Sequence, residues 1–163
     1  MSSRHFVLAV VSVMGLCLCD LAAIAAEGDA ISVDLKMFKF KVTEDMATLF
    51  GYDEGQSRLF YYTFGTGEAA VKIPADGDYD LVIAASCDPA QNERAKFKAA
   101  LDGKAIGEET LLTADEEKQY TLSIKGAKAG EHKLTIEFTN DAYKEGEFDR
   151  NLYLHSVSLK KAK

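Results

Sequence analysis

From Ile31 onward the sequence alternates, and this constrains the fold more than any other feature. Ile31, Val33, Leu35 and Met37 are separated by Ser32, Asp34 and Lys36, and Leu134, Ile136 and Phe138 by Thr135 and Glu137. A period of two puts one face of an extended strand in a core and the other in water. Further β-prone segments lie at 58–64, 69–73, 79–85, 95–101, 111–112, 120–124 and 152–159. Turn residues punctuate them: Gly65-Thr66-Gly67, Pro74-Ala75-Asp76-Gly77-Asp78, Asp102-Gly103, and the stretch from Gly126 to Gly130. One helical turn is expected over 43–50, with Thr43 as N-cap and Gly51 at its exit. The apolar phase slips between Leu154 and Val157, so the last strand is either buried on both faces or bulged. About eight or nine strands at roughly ten-residue spacing predict an all-β chain, an antiparallel β-sandwich or jelly roll.

Residues 1–26 follow a different rule. Arg4 and His5 precede an apolar run from Phe6 to Cys19, and small residues follow at Ala22, Ala23, Ala25 and Ala26. A basic start, an apolar middle and a small-residue end form a signal peptide, with cleavage after Ala25 or Ala26. The run of about 14 residues is shorter than the roughly 20 needed to span a bilayer. No later segment reads as a membrane span. The expectation is an exported protein, secreted or held in the periplasm or at the cell surface, with one domain over 27–163. Cys17 and Cys19 fall in the leader, which leaves Cys87 alone and rules out a disulfide framework. Asp and Glu number 26 against 19 Lys and Arg, a net charge of −7. That balance excludes a nucleic-acid partner, which needs a basic face.

Few motifs carry chemistry. Asp76-Gly77-Asp78-Tyr79-Asp80 has alternating acids, but an EF-hand would need Gly and Glu where Leu81 and Cys87 stand. It reads as a turn opening a strand. Cys87 would need a base and an orienting group to act as a nucleophile, and His132 and His155 sit in no recognisable signature. It reads as a buried thiol at a strand end. No phosphate loop, paired-His metal motif or nucleophile elbow occurs, and no motif nominates a pair of catalytic carboxylates. The chain is therefore read as a binder, not an enzyme.

The informative segment follows Phe138. Asn140, Asp141, Glu145, Glu147, Asp149 and Asn151 crowd one polar loop between two strands. Such a loop can be a solvated hairpin in which Asp149 pairs with Arg150 or a backbone amide. It can also offer a hard cation several oxygens from a compact arc; with no thiolate or imidazole in it, zinc and copper are disfavoured.

In the same segment, Phe138-Thr139-Asn140-Asp141, a short loop containing Tyr143, and Asp149-Arg150-Asn151-Leu152 leading into a strand resemble the C-terminal signature of the calcium-dependent xylan-binding carbohydrate-binding modules, families 36 and 60. Ile73 to Leu81, Leu101 to Gly107 and the Ala129-Gly130-Glu131-His132 lead-in resemble the same family in the same order, over about 70 to 163. The resemblance implies a β-sandwich that binds a xylan-like polysaccharide through an exposed calcium. It implies Asp141 and Asp149 as ligands, Asn140 and Asn151 as ligands or braces of the loop, Tyr143 or Phe148 beside a sugar ring, and Arg150 paired with a carboxylate or orienting a carbonyl at the ligand site. The alternative is an exported structural or protein-interaction sandwich with a protein partner and no sugar site.

Overall fold

Alternation produces strands with one dry face, and dry faces pair. The computed structural model describes residues 30–163; the signal peptide expected over 1–26 lies outside the described residues. In chain order the strands are β1 (Ile31–Val33), β2 (Lys39–Phe40), β3 (Phe50–Asp53), β4 (Arg58–Tyr61), β5 (Gly65–Ile73), β6 (Gly77–Asp88), β7 (Lys96–Leu101), β8 (Lys104–Ala105), β9 (Thr110–Leu111), β10 (Lys118–Ala127), β11 (Gly130–Phe138), β12 (Tyr143–Lys144), β13 (Phe148–Asp149) and β14 (Asn151–Lys161). One six-stranded sheet runs β10-β6-β14-β4-β3, with β1 also paired to β14. The other runs β2-β5-β11-β7-β8, with β9 paired to β7. Strands β12 and β13 form a separate two-stranded ribbon. Fourteen strands replace the expected eight or nine, mainly because two-residue strands such as β8, β9, β12 and β13 are too short to show a period.

The core lies between the two sheets. Leu59 and Tyr61 of β4, Leu81, Ile83 and Ala85 of β6, and Leu152 and Leu154 of β14 face Phe97, Leu134, Ile136 and Phe138 of the second sheet in one buried cluster. Cys87 belongs to that cluster, unpaired, and burial pushes its thiol pKa up. A buried, protonated thiol is a poor nucleophile.

Three local expectations need correcting. The strand expected through Met37 stops at Val33, because the Asp34 side chain accepts from Lys36 N (2.9 Å) and starts a 3-10 turn over Leu35–Met37. Residues 43–50 do contain a short 3-10 helix, Glu44–Leu49 with Thr43 as N-cap, but Thr43 makes no side-chain cap bond and Gly51 lies within β3. Gly65-Thr66-Gly67 is not a turn; it opens β5. A Cβ at Gly67 would sit 2.6 Å from the Tyr61 hydroxyl, so glycine is there for close packing. The phase slip in the last strand is a bulge between Leu154 and Ser156, and it turns His155 toward the outer face.

Candidate functional site

The strand directions bring four chain segments to one end of the sandwich. There β6 ends at Asp88, β11 ends at Phe138, β14 begins at Asn151, and the chain leaves β4 through Tyr62 and Thr63. Asp88 and Asn151 are register partners across the β6–β14 pair. The Asn151 amide nitrogen donates to Asp88 Oδ2 (3.1 Å) and to Asp149 Oδ2 (3.2 Å). Two acceptors on that nitrogen fix the amide orientation, which leaves Asn151 Oδ1 buried with no partner. Tyr153 donates its hydroxyl to Asp88 Oδ2 at 2.5 Å. Burial, then this hydrogen bond, raises the Tyr153 pKa, so the phenol stays a donor.

Asp141 approaches from the other side. Thr63 Oγ1 donates to its Oδ2 at 2.9 Å, whereas Oδ1 is buried and unpartnered. Burial raises the Asp141 pKa, and the neighbouring Asp149 charge pushes in the same direction. A buried carboxylate oxygen without a donor is costly in an ion-free protein. Two such orphaned oxygens at one end, beside Asp149 and Asp88, fit a hard cation with oxygen ligands. Among the described residues no group of three or more His, Cys, Asp or Glu is placed to hold a metal ion. The oxygens gathered here are those of two loop carboxylates, Asp141 and Asp149, and the Asn151 amide.

The β12–β13 ribbon frames this end. Tyr143 pairs with Asp149 and Lys144 with Phe148. Directly opposed residues share a ribbon face, so the exposed Tyr143 stands on the Asp149 face and Phe148 on the other. Of the two candidate aromatics, only Tyr143 accompanies the carboxylate.

Arg150 and Asn140 are placed otherwise than at a ligand surface. Arg150 is 3% exposed. It donates to the carbonyls of Glu93 (Nε, 3.0 Å), Ala90 (Nη2, 2.5 Å) and Asn140 (Nη1). Its reach toward a carboxylate is a longer one, to Glu93 Oε2 at 3.6 Å. Arg150 is thus a buried clamp on the 90–93 and 140 backbones, the carbonyl-orienting role of the two expected of it. Asn140 accepts from Lys96 N (2.6 Å) and donates to the Arg94 carbonyl (2.9 Å). Of the two roles open to it, the structure shows the brace. Both residues hold the loop that carries Asp141 and Asp149.

Asp88, Thr63 and Tyr153 escaped the sequence reading. Asp88 and Thr63 lie far along the chain from Asp141 and come to it through strand pairing and chain return, whereas Tyr153 follows Asn151 by two residues in β14. Clefts of about 410 Å³ beside Ser57 and His155 and about 430 Å³ beside Asp102 and Lys128 lie away from these loops. A metal-centred contact at a loop tip needs no deep cleft. No helix among the described residues is long and apolar enough to cross a membrane.

Comparison with known proteins agrees with this architecture. The sequence profile of a Ca-dependent, xylan-binding carbohydrate-binding module, family 60, matches residues 80–163. No curated protein matches the chain. The CBM36-1 domain of a multidomain xylanase from the hindgut metagenome of Trinervitermes trinervoides is similar at TM-score 0.60 and 13% identity, over 83% of this chain and 99% of that one. A CBM36 module in complex with calcium and xylotriose is similar at TM-score 0.51 and 11% identity, over 80% and 98%. The Podospora anserina GH26-CBM35 β-(1,4)-mannanase is similar at TM-score 0.57 and 12% identity, over 82% of this chain, which spans only 28% of that enzyme. At these identities the structures support the fold, whereas the profile match covers half of the sequence. The chain belongs to the Ca-dependent, xylan-binding carbohydrate-binding module family 60.

Proposed function

We propose that this chain is an exported, non-catalytic module that binds a xylan-like polysaccharide with calcium held by Asp141, Asp149 and the Asn151 side-chain oxygen. The observation that carries the reading is the pair of buried oxygens without partners, Asp141 Oδ1 and Asn151 Oδ1, at one loop end. A calcium ion bound there would supply open coordination positions that two adjacent sugar hydroxyls fill. Thr63 orients Asp141, Asp88 takes up the Asn151 amide so that its oxygen stays free, and Arg150 fixes the backbone beneath. Tyr143, exposed beside Asp149, offers a ring face to a sugar. Export rests on the signal-like pattern of residues 1–26.

Calorimetry with a neutral xylo-oligosaccharide tests the reading. Binding should vanish with EDTA, return with calcium, and be lost in Asp141→Ala and Asp149→Ala. Equal binding with and without chelator would remove the metal from the mechanism, and no binding to any polysaccharide would remove the function.

A further inference from the structure

The outer face of the β6–β14–β4 sheet carries a cation that nothing neutralises. Arg94 reaches Asp115 and Arg150 reaches Glu93, but among the described residues Arg58 makes no ion pair. Its cross-strand partner in β3 is Asp53. That carboxylate is bent back into its own turn, where Oδ1 accepts from Gly55 N (2.9 Å) and Gln56 N (3.1 Å). The Arg58 Nε is buried and has no hydrogen-bond partner. The guanidinium lies 3.6 Å from the centroid of the Tyr153 ring, which sets its plane. A guanidinium stays charged throughout the pH range in which proteins fold, and its fork of donors matches a carboxylate. A half-buried, oriented and unpaired guanidinium is an incomplete ion pair.

Tyr153 also says where the missing anion belongs. The ring beneath Arg58 is the one whose hydroxyl binds Asp88 Oδ2, next to Asn151. Arg58 and the loop site therefore flank a single tyrosine, on a face that also carries Phe60 and Tyr62, stacked at 4.5 Å. Neutral sugar hydroxyls do not require a permanent cation. An acidic group on a sugar next to the one held at the loop site does.

We infer that Arg58 is a subsite for the carboxylate of a uronic-acid substituent, so that the module prefers an acid-decorated xylan-like polysaccharide to the undecorated chain. This inference rests on the polysaccharide reading above. It assigns a role to Arg58 that the calcium site alone leaves unexplained.

The test is calorimetry of the full chain at saturating calcium with four probes. These are xylotetraose, xylotetraose carrying one glucuronic acid, the same compound with its acid reduced to the alcohol, and free glucuronate. The acidic oligosaccharide should bind about tenfold tighter than the neutral and reduced ones, the range expected of a charge-assisted hydrogen bond. Arg58→Gln should abolish that preference and leave the xylotetraose affinity unchanged, and Arg58→Lys should restore only part of it. Equal affinities for the acidic and reduced probes overturn the inference while leaving the polysaccharide reading intact, and so does an acid preference that survives Arg58→Gln. Free glucuronate binding as tightly as the acidic oligosaccharide overturns it too, since the site would then serve small anions. If no oligosaccharide binds, the polysaccharide reading and this inference fall together. The acidic-against-reduced comparison uses the unaltered protein, so misfolding of a variant does not spoil the test.

Discussion

At the end of the sandwich where β6 begins, Asp76, Asp78 and Asp102 are each answered. Asp76 accepts from Ala129 N and Lys128, Asp78 from Gly126 N and Lys125, and Asp102 from Lys133 N and His132. These partners hold all three carboxylates below the usual range, led by the Lys128 hydrogen bond for Asp76 and by backbone N–H groups for the other two. At the far end, where β6 stops, Asp141 receives a single hydroxyl and is pushed the other way by burial. The same residue type is a turn stapler at one end and a carboxylate with an unmet oxygen at the other. Acidic composition thus says little by itself; the number of donors aimed at each oxygen decides its role.

The largest effect should come from the clamp beneath the unfinished end. Arg150→Met removes the charged donor from the carbonyls of Ala90, Glu93 and Asn140, of which the first two keep each other's N–H. Hydrogen bonds from a charged group contribute about 1.5–3 kcal/mol each, so the variant should lose at least about 3 kcal/mol in urea unfolding and lose sugar binding with it. A change of under about 1 kcal/mol would mean that water replaces the guanidinium, and that Arg150 does not hold the site together.

Asp141→Asn separates the two ends more directly. If Asp141 is an ion ligand, the amide should abolish the calcium-induced rise in melting temperature. In the wild type that rise corresponds to about 2.7 kcal/mol at a hundredfold excess over Kd. In EDTA the same variant should melt at or above the wild type, because it removes a buried charge with an unmet oxygen. The turn-end counterpart, Asp102→Asn, should melt lower with or without calcium, since it loses charge-assisted bonds to Lys133 N and His132. Both variants destabilising the chelated protein equally would erase the contrast.

The fold was legible where a strand was long enough to repeat its period. The alternation at 132–138 became β11, and the Asp102-Gly103 signal became a hairpin in which both residues have positive φ, 51° and 80°. Gly65 and Gly67 misled because a glycine that lets an aromatic side chain approach looks the same in sequence as one that turns the chain. At the candidate site, the closeness of Asp141, Asp149 and Asn151 was legible because one loop holds them. Asp88 and Thr63 were not, since they meet Asn151 and Asp141 through strand pairing and chain return, which no local pattern encodes. For Arg150 the carbonyl-orienting role was legible, but not that the carbonyls come from two separate segments and bury the side chain.

The aspartates of the two ends should also answer pH with opposite signs. His132 is 12% exposed in its side chain, with Nδ1 2.7 Å from Asp102 Oδ2 and Nε2 2.7 Å from the Lys128 carbonyl. Both neighbours are acceptors, so the imidazolium fits with both nitrogens donating, and the Asp102 bond leads in raising its pKa. A raised histidine pKa gives stability that is complete below its unfolded value, about 6.5, and is lost as pH rises through the folded value. The lowered pKa of Asp102 gives stability that is present above about 3.9 and is lost as pH falls through the folded value. Asp141, with its pKa raised, does the reverse: the chelated protein weakens as pH climbs past its unfolded value, near 3.9. Melting curves in EDTA should therefore show a decline, beginning as pH rises past about 6.5, that disappears in His132→Gln. They should also show a second decline, beginning as pH climbs past about 4, that disappears in Asp141→Asn. Adding calcium should remove the second and leave the first.

The smallest effect belongs to the lysines at the answered end. Lys125 and Lys128 reach Asp78 and Asp76 at 3.0 and 2.8 Å, but their side chains are 73% and 77% exposed. Exposed pairs of this kind contribute little, because water screens the attraction and ordering two long side chains offsets the gain. Lys125→Ala and Lys128→Ala should each leave the melting midpoint within about 2 °C of wild type. Asp76→Ala and Asp78→Ala should move it further, since they also strand the Ala129 and Gly126 amides at the β10–β11 turn. If instead the lysine variants cost as much as the aspartate ones, the turn end would owe its lowered carboxylate pKa values to charge pairing. Its stapling would then fade in high salt, whereas bonds to backbone amides should survive it.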